Sequence, residues 1–169
     1  MTVQNINNRF AAHVYETHGR IALECGDLAE YNQCQSRLQE MRRRGIPISS
    51  SEFDSYRVLH ALYCKNKLET VGILRDLARR REIVSRYQCA CSTAHRYDVQ
   101  DNEHMAFMMS IRRCLVDGNT SRFFKLYSSA PLLSGYILDY MVSSVRKNAY
   151  DAMIKANDTV SLGDITVSF

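Results

Sequence analysis

The chain has 169 residues, 46% of them apolar and 24% charged, with a formal net charge of +4. A single domain of that length buries roughly 70% of its unfolded surface, so it folds without disulfides or a structural metal. The mild positive charge permits an acidic partner or nucleic acid and requires neither.

Two prolines and seven glycines are too few to punctuate many short strands, so long helices are expected. No run of about 18 apolar residues exists, which excludes a transmembrane helix. Residues 1–8 are polar and lack the apolar stretch of a signal peptide. The six cysteines (Cys25, Cys34, Cys64, Cys89, Cys91 and Cys114) are therefore read as reduced thiols, in cytosol or nucleus.

A first helix is expected over residues 7–25, with Phe10, Val14, Thr17 and Ile21 marking one apolar face. Gly26-Asp27 ends it and caps the next, because glycine takes the left-handed terminal position and aspartate accepts from a new first turn. The second helix carries Leu28, Tyr31, Cys34, Leu38 and Met41 and stops at Gly45, with Pro47 beyond. So short a connection makes the two helices antiparallel. Ser51 and Asp54 read as a capping box for a third helix with Tyr56, Leu59, Leu62 and Tyr63 inward. A fourth is expected over residues 67–81, with Val71, Leu74 and Ala78 inward. Residues 82–100 mix apolar and polar types without a clear period and read as an irregular or partly helical stretch. Helix returns over residues 102–116 with Met105, Met108, Met109 and Leu115. Another holds Phe123, Phe124, Leu126 and Tyr127. Pro131 suits the first turn of a last long helix with Ile137, Tyr140, Met141, Val145, Ala149 and Met153 on one side. Residues 159–169 read as a short helix or strand.

An internal similarity links two of these turns. Ala22-Leu23-Glu24-Cys25-Gly26-Asp27 with Tyr31 matches Cys114-Leu115-Val116-Asp117-Gly118-Asn119 with Phe123. A tight turn followed by an aromatic that packs back is how stacked helical hairpins are built, and such stacks bind other chains.

The search for chemistry yields little. His13 and His18 are five residues apart and do not share a helix face as zinc ligands at four-residue spacing do. Cys89, Cys91, His95 and His104 are the one metal-like cluster, but its cysteines lack the two-residue gap and the second pair of structural zinc sites. No phosphate loop, nucleophile elbow or nucleophile–base pair is present, so no catalytic residue, cofactor or metal is assigned. The basic runs Arg42-Arg43-Arg44 and Arg79-Arg80-Arg81, with Arg146-Lys147, are candidates for contact with RNA or an acidic partner. Each triplet is expected to close a helix, where cations also complement the macrodipole. Stacked hairpins would gather them on one rim.

The run from Val14 to Asp27, through Tyr15, Glu16, His18, Arg20 and Gly26, continues as Glu30-Tyr31-Asn32-Gln33-Cys34-Gln35 and Leu38. With Glu52-Phe53, Tyr56-Arg57, Arg122-Phe123-Phe124, Tyr127 and Ala130-Pro131, it resembles the PCI-domain family of germinal-centre-associated nuclear protein and its yeast relatives in mRNA export and transcription elongation. The resemblance spans residues 10–153. It implies an all-α, right-handed solenoid of helical hairpins, similar to tetratricopeptide repeats, and a non-enzymatic scaffold of nuclear mRNA processing. It also implies pairing with a second PCI-domain protein, a small acidic stabilising protein nearby, and contact with RNA. Asn32, Gln33 and Gln35 are expected at the packing interface between hairpins, hydrogen-bonded. Residues 1–158 are expected to form the repeat part, with residues 79–100 longer than the family segment. Residues 159–169 resemble the start of a winged helix that is otherwise truncated or absent. A peptide-binding adaptor without RNA contact is the alternative.

Overall fold

The computed structural model describes residues 6–46, 48, 50–88 and 95–156. Within them lie seven helices and no strand: α1 (Arg9–Glu24), α2 (Leu28–Arg43), α3 (Ser50–Tyr63), α4 (Lys67–Gln88), α5 (His95–Asp117), α6 (Thr120–Ser128) and α7 (Ser134–Ala156). None is long and apolar enough to cross a membrane. The short helix or strand expected over residues 159–169, and the start of a winged helix that it resembles, lie outside the described residues.

Three turns share one construction. Gly26, Lys65 and Gly118 all have positive φ, at 75°, 55° and 67°. The next amide reaches back to a carbonyl of the finished helix: Asp27 to Ala22 (2.8 Å), Asn66 to Ala61 (3.1 Å) and Asn119 to Cys114 (3.0 Å). The same Asp27, Asn66 and Asn119 side chains then accept from Glu30, Glu69 and Arg122 at the start of the following helix. One residue thus finishes the satisfaction of one helix and begins that of the next. The hairpins are α1–α2, α3–α4 and α5–α6. The likeness of Gly26 to Gly118 in sequence reveals two of them; Lys65 hides the third because glycine is absent there.

α3 is the axle. It packs against α4, α5 and α7, while α1 pairs with α2 and α6 with both α5 and α7. Phe53, Tyr56, Val58, Leu59 and Ala61 of α3 are buried in one core with Tyr31, Leu38, Ile73, Met108, Ile111, Phe123, Ile137 and Leu138.

Several expected faces are corrected. On α1 the buried residues are Ala11, Ala12, Glu16, Gly19, Ala22 and Leu23, while Phe10 and Ile21 are 65% and 51% exposed. A Cβ on Gly19 would stand 3.2 Å from the Phe53 ring. The helices approach too closely there for large side chains, and small residues weigh little in a reading of hydrophobic periodicity. On α4, which packs chiefly on α3, Thr70, Ile73 and Leu77 are buried and the expected Leu74 is partly buried against the same core, while Val71 and Ala78 are exposed. Met109 and Tyr140 are also exposed. α3 begins at Ser50 and Asp54 is buried against Arg42, while the side chain of Ser51, the other half of the expected capping box, lies outside the described residues. Pro131 precedes α7 and accepts from Ser134 (3.1 Å), since left-handed Leu132 (φ 49°) redirects the chain before the helix starts. The stretch expected to be irregular or partly helical is helical over residues 82–88 and 95–100, its described part; no glycine or proline occurs between Gly72 and Gly118 to break it.

Candidate interaction surfaces

The motif residues between Tyr15 and Gln35 divide into those that hold α3 and those that face solvent. Arg20 of α1 forks onto Glu52, donating from Nε to Oε1 (2.9 Å) and from Nη2 to Oε2 (2.7 Å). Its guanidinium also lies 5.2 Å from the centre of the Phe53 ring. A planar fork with two bonds and a ring contact is geometry that lysine cannot reproduce. Glu52 further accepts from the Tyr56 hydroxyl (3.1 Å), which itself accepts from the Leu133 amide (3.0 Å). Burial, then the Glu52 charge, push the Tyr56 phenol upward, so it stays protonated and donating. Hydrogen bonding to Glu52 raises Arg20 as well, ahead of the opposing effect of burial.

Gln35 of α2 donates to the Phe53 carbonyl (3.1 Å) from a buried position, which is the packing role expected of it. Asn32 and Gln33 are exposed instead, because α2 buries only the face carrying Tyr31, Cys34, Gln35, Leu38 and Met41. Glu16 is buried and lies 3.8 Å from His13. Tyr15 is half-buried between the two core clusters. Phe123 is in the core with Phe124 edge-on to it. The Tyr127 hydroxyl donates to Asp139, and the Tyr140 hydroxyl donates to the Gly26 carbonyl (2.5 Å).

The arginines of the basic runs differ in their surroundings. Arg42 is tied to Asp54 at 2.5 Å, both largely covered. Arg44 pairs with Glu40 one turn back on α2. Arg43 is exposed and lines a polar cleft of about 230 Å³ with Arg57, His60 and Glu69. Arg79 is exposed inside α4, which continues to Gln88, so residues 79–81 do not close a helix; the side chains of Arg80 and Arg81 lie outside the described residues. Arg146 sits 5.5 Å from the Phe124 ring and Lys147 is exposed. Of the metal-like cluster, Cys89 and Cys91 fall outside the described residues, as does the side chain of His95; His104 is half-buried in α5.

Two apolar surfaces remain among the described residues. One is the outward stripe of α1, where Phe10, Thr17 and Ile21 are exposed and Val14 half-buried. The other is a cleft of about 610 Å³ between α3, α4, α5 and α7. Leu62, Leu115, Met141 and Val145 line it, Val71 and Val116 open it to solvent, and Lys65, Lys67 and Arg112 stand at its margin. Exposed apolar surface of this kind marks interaction sites. Neither is visible in the sequence as a site, since periodicity cannot distinguish a stripe facing the core from one facing a partner.

Comparisons with known proteins find relatives over most of the chain. The chain is 35% identical over 156 residues to the THP3 homolog C2A9.11c of Schizosaccharomyces pombe, covering 92% of this chain and 35% of that protein. It is 36% identical over 155 residues to the leukocyte receptor cluster member 8 homolog of Xenopus laevis, covering 92% and 17%. It is 35% identical over 157 residues to SAC3 family protein A of Arabidopsis thaliana, covering 92% and 14%. The chain thus spans about a third or less of the length of these relatives. The SAC3/GANP family profile matches residues 1–168, and the chain belongs to the SAC3/GANP family.

Proposed function

We propose that this chain is the helical scaffold portion of a non-catalytic protein in a nuclear complex of mRNA processing or export, coupled to transcription. Family membership is the observation that carries this reading. In it the domain pairs with a second PCI-type protein, with a small acidic stabilising protein beside them, and RNA meets the exposed cations. Arg42 braces α3 and is set aside from the cation set. Arg43, Arg44, Arg79, Arg80, Arg81, Arg146 and Lys147 remain as candidates.

RNA affinity measured against salt tests this role of the cations. The Arg43→Ala/Arg44→Ala double variant is expected to flatten the logarithmic salt slope by about 0.7 for each phosphate no longer neutralised. An unchanged slope removes that site from the set. Co-purification from native extract with mass spectrometry tests the complex, and an absence of PCI-domain and mRNA-processing proteins among the partners would count against the reading. A protein-binding adaptor without RNA contact is the second reading, favoured by the apolar cleft beneath Val71 and Val116. It predicts negligible RNA affinity at every salt concentration.

A further inference from the structure

We propose that His18, Glu30 and Cys34 form a transition-metal site of the zinc class that clips α1 to α2. The ligands come from both arms of the hairpin. His18 lies eight residues before Gly26 (26 − 18) and Cys34 eight after it (34 − 26), so antiparallel packing sets them level. Glu30 is one helical turn from Cys34 on α2, on the same side. One imidazole nitrogen, one carboxylate oxygen and the Cys34 sulfur all lie within 4.8 Å of one another. The His18 Nε2 and Glu30 Oε1 atoms are 3.5 Å apart.

Tetrahedral zinc, with bonds of about 2.0–2.3 Å, holds neighbouring ligand atoms roughly 3.3–3.8 Å apart. Closing the site from separations of up to 4.8 Å therefore asks the widest pair to approach by up to about 1.5 Å. His18 and Glu30 can make that adjustment, because their side chains remain 49% and 37% exposed. Cys34 is buried and fixed by the core. A cavity of about 290 Å³ lies beside the three, with Gln33 and Arg37 on its wall. It leaves the fourth coordination position to a water. On binding, the Cys34 thiol gives its proton to solvent, and thiolate plus carboxylate balance the two positive charges of the ion. A sulfur, nitrogen and oxygen set of this kind selects zinc or cobalt over magnesium or calcium. A paired-cysteine pattern does not reveal such a site: Glu30 and Cys34 share a helix face at four-residue spacing, but His18 comes from the other arm of the hairpin.

The test titrates the metal-stripped chain with cobalt(II) and follows the sulfur-to-cobalt charge-transfer absorption. One equivalent is expected to develop the band, and zinc to displace it. His18→Ala, at a half-exposed position, is expected to weaken cobalt binding at least about tenfold. Cys34→Ser is expected to abolish the band, while a Cys89→Ser/Cys91→Ser double variant keeps it. Circular dichroism checks that each variant is folded; should Cys34→Ser unfold, His18→Ala decides alone. No band in the wild-type chain overturns the proposal, as does full cobalt affinity in His18→Ala. A band that disappears only in the Cys89/Cys91 variant also overturns it and moves the metal to that pair.

Discussion

Arg20 and Glu52 are 32 residues apart in sequence and form the best-defined polar contact between hairpins. Both are partly covered, so each holds the other in a fixed geometry while some solvent screening remains. A double-mutant cycle with Arg20→Ala and Glu52→Ala is expected to show a coupling of about 1–3 kcal/mol in urea unfolding. A coupling near zero would reduce the pair to surface decoration. His60 offers a check by pH. It lies edge-on to Tyr31, and burial lowers its pKa from the usual 6.5, against an opposing pull from Glu69. The folded state therefore binds fewer protons than the unfolded chain once pH falls below about 6.5, and stability drops with acidification. His60→Asn is expected to make the urea midpoint less dependent on pH in that window.

At the scale of elements, the three hairpin turns use one solution with one irregular member. Gly26 and Gly118 adopt positive φ without strain, whereas Lys65 carries a Cβ into the same region at 55°. Lys65→Gly is expected to raise stability by about 1 kcal/mol, read from the thermal or urea midpoint. A drop in stability would mean that the Lys65 side chain, at the margin of the apolar cleft, makes interactions that outweigh its backbone strain. The α1 helix gives a second lesson at this scale. Phe10, Val14, Thr17 and Ile21 form a clean helical stripe, yet the stripe faces out, and alanines and Gly19 face in. Helix type follows from period; which face is buried follows from how closely the neighbour approaches.

For the molecule as a whole, α3 decides cohesion. Its first two turns receive Arg20, Gln35, Arg42 and the Leu133 amide from three other segments, and its second half is the floor of the core. Leu59 is fully buried there. Leu59→Ala is expected to cost about 2–5 kcal/mol. Because α3 touches every layer, the effect should appear as one shifted transition, coincident by circular dichroism and tyrosine fluorescence. Two separated transitions would show that α1–α2 unfolds apart from the rest.

Much of this architecture is legible in the sequence. The scarcity of glycine and proline, the periods and the Gly26-Asp27 and Gly118-Asn119 turns determine an all-helical chain of hairpins, because these are local properties of the backbone. The run from Tyr15 to Gln35 with its later matches points to the family. Residues 82–88 and 95–100 resemble a loop in their polar composition, although nothing in them breaks a helix. Tertiary structure alone decided the rest. It put Arg42 on Asp54 and kept Gln35 buried while exposing Asn32 and Gln33. It also brought His18 to Glu30 and Cys34 across a hairpin. Each of these depends on distances between residues far apart in the chain, which are set by packing and carry no local signal.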